Sequence, residues 1–545
     1  MAAKKNAGTN ELYFGDCLNI LRENIREESV DLIYLDPPFN SNTNYNLLFK
    51  SPKGQASHAQ IEAFEDTWHW GDQAEHEFGE LVRQSNTAVS EMMQALRRFL
   101  GENDMMAYLV MMTNRLLEMR RVLKPGGSIY LHCDPTSSHY LKVVLDSIFD
   151  VEFFNNEIVW VRTGAKAHAH TRFASSHDII FFYSKSNEYR WTPQFLPHRK
   201  EYIDSHYSNI EPKTGRRFTL GDLLNPNHDR PNLTYEFPPG SGMVKVWRWT
   251  KERMMEAFKQ GRIYVPEKGG VPRYKRYLDE MAGTSLTSVW DDIPPLNSQA
   301  QERLGYPTQK PIALLERIIK ASSNEGDVVL DPFCGCGTAV HASQSLGRKW
   351  IGIDITHLAI SLIEKRLHDA FPRIEFDVHG TPKDLESARD LATRDKYQFQ
   401  WWACSLVNAQ PFQGKKKGAD SGIDGLIYFQ DDNGPPKKIV VSVKGGENVS
   451  VAMVRDLAHV VKREKAEIWL FVTLAESTDP MRKEATKEGF YDSPVGVSFP
   501  RLQILTIDAL INQTERARYP DLAQGGHTFK KAKVQEKAAL QNKLF

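Results

Sequence analysis

The 545-residue chain is too long for one ordinary domain, and two or three are expected. Its 41% hydrophobic and 25% charged residues are the composition of a soluble globular protein, and no segment is long and apolar enough to span a membrane as a helix. Its 69 basic and 69 acidic side chains cancel, so any nucleic-acid face must come from local segregation of Lys and Arg.

Glu11 to Phe14 reads as a strand, Leu18 to Arg26 as a helix, and Val30 to Leu35 as the apolar, β-rich run of a buried parallel strand. That run ends in Asp36-Pro37-Pro38-Phe39, at the strand end where open α/β sheets place their chemistry. Tandem prolines make a stiff corner whose carbonyls stay free to accept. A carboxylate and such a carbonyl can both accept from one exocyclic amine, and Phe39 adds a stacking face. A strand-ending turn with Asp36 as a helix cap is the plainer account of these four residues alone.

Residues 40 to 70 read as a polar, turn-rich loop, and its aromatics Phe64, Trp68 and Trp70 as a packed apolar patch rather than a stacking platform. Met105 to Leu123 repeats apolar residues at helical spacing, its methionines as core filler, and Lys124 to Gly127 ends it. Ser128 to Cys133 follows as a strand and Ser138 to Phe149 as a helix. Val151 to Val161 and Asp178 to Ser184 read as a hairpin at the sheet edge. The basic segment between them, Arg162 to Arg172, reads as a DNA-facing loop, because His168 and His170 have no further ligand at metal-site spacing. From Tyr189 to Gln301 the pattern is irregular. There Arg216-Arg217, Trp247-Arg248-Trp249 and Arg273 to Tyr277 interleave cations and rings, as phosphate contacts and groove readout require.

A second acid-ended strand, Asp327 to Asp331, leads through Pro332-Phe333-Cys334-Gly335-Cys336-Gly337-Thr338 into a helix, Ala339 to Leu346. A third, Lys349 to Asp354, precedes the helix Thr356 to Phe371, and an acid at its end suits the two hydroxyls of a ribose. The glycine spacing departs from G-x-G-x-x-G and no phosphate-loop lysine is present, so a nucleoside without phosphates is expected, as in S-adenosylmethionine.

In this order, over roughly residues 10 to 372, these motifs resemble those of the permuted β group of amino-methylating DNA methyltransferases, in which the D-P-P-F box precedes the cofactor box. The resemblance implies an α/β, Rossmann-like methyltransferase domain with a target-recognition region inserted at 189 to 301. It implies that Asp36, Pro37, Pro38 and Phe39 hold the target amine and its base. It places S-adenosylmethionine on Asp16 (within Gly15-Asp16-Cys17), on Thr308, Gln309 and Lys310 (within Tyr306 to Pro311, at the methionine end), and on Asp331, Phe333, Gly335, Gly337, Thr338 and Asp354. Double-stranded DNA is the implied partner, and the target base must leave the stack. D-P-P-F goes more often with adenine N6 than with cytosine N4, which stays the alternative; a non-catalytic DNA-binding protein is the remaining class. The resemblance leaves a homodimer open. With no apolar leader and five sparse cysteines, a cytoplasmic protein of bacterial, archaeal or phage origin is expected.

After a polar linker at Val378 to Lys383, residues 381 to 545 form an independent αββαβ pattern: a helix from Leu385 to Asn408, strands Ile423 to Phe429 and Lys438 to Lys444, a helix Val451 to Lys465, and strands Glu467 to Leu474 and Arg501 to Ile507. Gly422-Ile423-Asp424-Gly425 and Ser442-Val443-Lys444 resemble the PD-(D/E)xK fold of Mrr-type restriction endonucleases. The resemblance implies Mg²⁺ at Asp424 and a second acid, with Lys444 supporting the attacking water. Ser442, a poor Mg²⁺ ligand, stands in the acid's place, and Glu447 lies a little further on. A DNA- or partner-binding relic is therefore expected, with Lys415-Lys416-Lys417 and the lysine-rich tail Phe529 to Lys543 holding DNA. An active nuclease, making a single-chain restriction-modification enzyme, is the alternative.

Overall fold

The structure, a computed structural model, describes residues 10–520 except 39–44, 51–55, 65–67, 163–172, 268, 298–299, 305, 307, 413–421, 433 and 495, with the backbone alone at 45–50, 56–64 and 460–463. Phe39, the side chain of Phe64, the His168–His170 segment, Lys415 to Lys417 and the lysine-rich tail thus lie outside the described residues. The chain forms two compact units: one up to Thr192 and again from Ser288, the other Pro193–Thr287.

The first unit contains, in chain order, β1 (Glu11–Phe14), β2 (Val30–Leu35), α1 (Asp104–Val122), β3 (Leu123–Cys133), β4 (Phe154–Val161), β5 (His177–Ser184), β6 (Val289–Trp290), α2 (Ile312–Ser322), β7 (Val328–Asp331), α3 (Thr338–Ser345), β8 (Lys349–Asp354), α4 (His357–Ala370) and β9 (Asp377–His379). The strands make one nine-stranded sheet in the order β6-β4-β5-β3-β2-β7-β8-β1-β9, and only β5 runs against the rest. Helices cover both faces, so β2 is buried at every residue, with Ile33 and Leu35 in one apolar core and Leu32 and Tyr34 in the other. Met106, Met111, Met112 and Met119 of α1 fill the first of these cores, as expected of methionine.

Three local expectations change. Within 40–70, Tyr45–Lys50 and Ala56–Phe64 pair as an antiparallel hairpin rather than a loop, because backbone pairing overrode the turn-rich composition. The β4–β5 hairpin is not the sheet edge: β6 pairs outside β4, and Trp160 Nε1 donates to the carbonyl of Ile293 at 2.8 Å. The helix expected over 385–408 is two, Leu385–Arg394 and α5 (Lys396–Leu406). Asp395 is extended between them and its carboxylate accepts from Tyr397 and Gln398 N–H, both at 3.0 Å, so it caps the second helix instead of continuing the first.

Beyond α5 a five-stranded sheet runs β10 (Gln410–Pro411), β11 (Gly425–Phe429), β12 (Lys437–Lys444), β13 (Ile468–Thr473) and β14 (Leu502–Thr506) in that spatial order. Phe399 and Trp402 of α5 pack on one face; Val454, Leu457 and Met481 from the two later helices pack on the other. Among the described residues no helix is long and apolar enough to cross a membrane.

The second unit holds a four-stranded sheet and its own small core of Leu223, Phe237, Trp247, Met254 and Ile263. Its cation–ring pattern is largely internal. Trp247 is wholly buried, Arg216 pairs with Asp279 and Glu280 at 2.8 Å, and Arg217 pairs with Asp204 at 2.8 Å. Trp247 therefore serves this unit's own packing, while Arg216 and Arg217 pair with acids at its surface. Arg273 and Arg276, on the strand Arg273–Tyr277, form no ion pair among the described residues.

Candidate active site

Four acids that the sequence scatters over 339 positions stand at the carboxyl ends of four neighbouring strands, in the order β2-β7-β8-β1: Asp36, Asp331, Asp354 and Asp16. All four line one cleft of about 360 Å³, a volume in the range of small-molecule sites.

One half of this cleft has the character of a nucleoside site. The Asp354 carboxylate accepts the N–H of Gly335 (2.9 Å), the N–H of Thr356 (2.9 Å) and the Thr356 hydroxyl (2.9 Å), which fixes the turn after β7 against the end of β8. Gly335 and Gly337 both adopt positive φ, at 51° and 73°, which glycine alone adopts freely. A Cβ on Gly337 would come within 2.8 Å of Ile363, so α4 packs directly on this turn. Phe333 N–H donates to Asp331 at 3.2 Å, and Thr338, buried, receives the guanidinium of Arg366 at 3.2 Å. Ile355 leaves a large apolar side chain exposed at the cleft beside Asp354. A ribose, an apolar ring and a cation therefore find acids, an apolar face and negative charge here, and S-adenosylmethionine fits the donor set.

Burial pushes the Asp354 carboxyl up to about 6, against the hydrogen bonds that favour its ionised form. Burial, with the charges of Asp36 and Asp354, raises Asp331 well above the ordinary carboxylate range, and Lys310 opposes this. A ligand whose hydroxyls donate to Asp354 prefers the ionised form. Affinity is therefore expected to rise with pH through about 6, by up to about tenfold per unit below it, and to flatten above about 7. Asp36, Asp331 and Lys310 face the same cleft, so the measurement is calorimetry of cofactor binding from pH 5 to 8 on the parent and on Asp354→Asn, and the difference between the two isolates Asp354.

The other half of the cleft is the D-P-P corner. Lys310 binds Asp36 Oδ2, while Oδ1 is buried and has no hydrogen-bond partner among the described residues. Lys310, expected at the methionine end of a cofactor, is thus held on the acid of the D-P-P-F box. Gln309 turns inward on its own loop, donating to Glu302 and accepting from Leu304 N–H, and Thr308 lines the cleft. Pro37 is buried and Pro38 partly so.

Several cleft residues were not legible in the motifs. Arg115, buried midway along α1, donates to Asp16 Oδ2 at 2.6 Å and holds that acid in place while Asp16 caps the helix Cys17–Glu23. Its signal in the sequence is a cation in phase with the apolar stripe. Behind the D-P-P corner lies a buried relay across β2, β3 and β5. Asp178 accepts from His132 Nε2 at 3.0 Å, and His132 Nδ1 meets the Tyr34 hydroxyl at 2.9 Å. Burial would raise the Asp178 carboxyl, but the His132 hydrogen bond and charge, with Lys310 and Arg162, hold it below its ordinary value. Trp68 packs edge-on against Tyr108 at 5.5 Å, as an apolar patch should, and also lines the cleft.

The C-terminal constellation is different in kind. Asp424 and Ser442 do meet across β11 and β12, at 3.4 Å, but the Asp424 carboxylate is already committed to the Val443 N–H (2.7 Å) and to Gln400 Nε2 (3.0 Å). Lys444 follows on the same face of β12 as Ser442. Glu447 points to Arg389 at 3.4 Å and is largely exposed. Among the described residues no group of three or more acids, histidines or cysteines is placed to hold a metal ion, and Ser442 offers a hydroxyl where Mg²⁺ prefers a carboxylate.

Comparison with known proteins agrees with this geometry. A family model described as DNA methylase matches residues 30–365, and one described as restriction endonuclease matches residues 391–498. The type II methyltransferase M.EcaI of Enterobacter cloacae is 34% identical over 265 residues, covering 48% of this chain and 57% of that protein. The Mod subunit of the type III restriction-modification enzyme StyLTI of Salmonella typhimurium is 25% identical, covering 63% of this chain and 51% of that one. The DNA adenine methyltransferase YhdJ of Escherichia coli is 25% identical, covering 65% and 82%. The chain thus spans little more than half the length of the first two relatives. With more than half of its length matched and the acids of both boxes gathered in one cleft, the chain belongs to the DNA methylase family.

Proposed function

We propose that the chain transfers the methyl group of S-adenosylmethionine to the exocyclic amine of a base flipped out of double-stranded DNA, adenine N6 in the first place. The observation that carries this reading is Asp36 Oδ1: a buried acceptor without a partner among the described residues, beside two prolines, in the cleft that Asp331 and Asp354 share. Buried polar atoms in folded proteins are almost always satisfied, so this one is reserved for a ligand N–H.

Asp354, Asp331, Asp16 and the Gly335–Gly337 turn would hold the cofactor, which supplies an electrophilic methyl group. Asp36 Oδ1 accepts one amine N–H while Lys310 pins Oδ2, which sets the direction of the amine lone pair. A carbonyl of the Pro37–Pro38 corner accepts the other, and the resemblance gives Phe39, outside the described residues, the role of stacking on the base. Asp36 is then placed to take the proton that the methylated amine gives up. Positioning and preorganised charge supply the acceleration, with no covalent intermediate. Nucleoside analysis of DNA incubated with the protein and cofactor tests this. N6-methyladenine is expected; N4-methylcytosine would overturn the choice of base, and no methylated base the reading itself.

The unit Pro193–Thr287 would choose the sequence, with Arg273 and Arg276 as cations left over from internal pairing. Exchanging it for the matching unit of a relative should move the methylated site and leave cofactor affinity unchanged, read by sequencing modified DNA. Retention of the old site in an active exchange would place specificity elsewhere.

The restriction-endonuclease-like domain would not cleave in its present form, because Ser442 stands where a second metal-binding acid is needed beside Asp424. The parent is expected to show no Mg²⁺-dependent nicking of plasmid DNA, and Ser442→Glu to raise it above background. Strong cleavage by the parent that Lys444→Ala removes would make the chain a single-chain restriction-modification enzyme.

A further inference from the structure

One helix, α5, joins the methylase core to the restriction-endonuclease-like sheet, and its two sides serve two sites. Residues two apart on a helix point in opposite directions, whereas those three or four apart share a side. Gln398 faces the core: its Oε1 accepts the N–H of His357 at 3.0 Å. That N–H is one of the unpaired donors at the start of α4, immediately after Asp354-Ile355-Thr356 of the cleft wall, so a side chain from the other domain completes the helix start. The His357 ring in turn stacks on Phe14, with ring centres 3.6 Å apart, at the step into Gly15-Asp16.

Trp401, three residues along the same side, is 4% exposed and packs with Tyr306, Cys336 and Leu358. Tyr306 and Cys336 both line the cleft, and a Cβ on Gly335 would lie 3.2 Å from the Tyr306 ring. Trp401 is therefore the backstop of the turn that carries Gly335. Gln400, two residues after Gln398 and so turned away from it, donates to Asp424, and Cys404, one turn on from Gln400, lies with its sulfur 3.5 Å from the Asp424 carbonyl oxygen.

We infer that α5 is a positioning element of the cofactor site: Trp401 and Gln398 hold Tyr306, Cys336 and the start of α4 where cofactor binding needs them. The restriction-endonuclease-like domain thus contributes to cofactor affinity without touching the cofactor. By reciprocity, cofactor binding firms α5 and the Asp424 end of that domain. The inference rests on the cleft being the S-adenosylmethionine site. It makes the second domain part of the methylase rather than a passenger.

The test uses the full chain. By calorimetry with S-adenosylmethionine, Trp401→Ala should weaken binding about tenfold, within the usual range of coupling between sites, and Trp401→Phe should restore most of the loss. In steady-state methylation, KM for the cofactor should rise while kcat and KM for DNA stay close to the parent, a split that general destabilisation would not produce. A Trp401→Ala protein with the parent's circular dichroism and the parent's cofactor affinity would overturn the inference. Where that variant fails to fold, hydrogen exchange on the parent decides. Saturating cofactor should slow exchange at 396–406 and 424–443 as well as at 331–356. Protection confined to 331–356 overturns the coupling and leaves the cofactor site standing; a parent that binds no cofactor overturns both.

Discussion

Asp36→Ala should lower kcat for methyl transfer by about 10³-fold, the upper end of what removing one preorganised group costs, while cofactor affinity stays within about twofold. The asymmetry follows from the division of the cleft. Asp36 meets Lys310 and presents an acceptor with no partner among the described residues, whereas Phe333, Gly335 and Thr356 of the nucleoside half donate to Asp331 and Asp354. Removing Asp36 also relieves a like charge on Asp331, which works against any loss of cofactor binding. Single-turnover methylation together with calorimetry reads both quantities on one preparation. Equal losses in the two would show that Asp36 belongs to the cofactor contacts and would end the assignment of the D-P-P corner to the amine.

Asp354→Ala should do the reverse at the binding step, weakening S-adenosylmethionine by about 1–3 kcal/mol, the scale for leaving buried polar groups without partners. Gly335 N–H, Thr356 N–H and the Thr356 hydroxyl all lose their acceptor, and with them goes the tie between the turn after β7 and the end of β8. At saturating cofactor kcat should recover most of the parent's value, because the amine-holding corner is untouched. A dissociation constant equal to the parent's would mean that the acid shapes the turn but meets no ligand. The pair of substitutions forms a crossed test, in which each carboxylate is expected to fail in a different measurement.

The acid-ended strands and the glycine turn were legible in the chain because each is a local pattern. Val30 to Leu35 is apolar throughout since both faces are covered, and an acid can end such a strand only where the sheet stops and a cleft begins. The methylase family and the likeness to restriction endonucleases were legible for the same reason: their motifs are short, ordered and carried by neighbouring residues. Tertiary structure alone decided which side chains meet. Parallel pairing of β7 with β2 and β8 sets Asp331 between Asp36 and Asp354, and no periodicity within a strand records its neighbour. Lys310 sits in a motif assigned to the cofactor yet reaches Asp36, 274 positions away, and Arg115 reaches Asp16 across 99. Trp247 reads as part of a cation–ring surface because composition counts rings without showing that a small core already holds them, and the acids that pair with Arg216 and Arg217 are equally invisible to it. The sequence marks α5 as a helix with apolar residues around it. Only the fold shows that Trp401 packs towards the cofactor turn while Gln400 holds Asp424, since amphipathic spacing reveals that a face is buried and not what buries it.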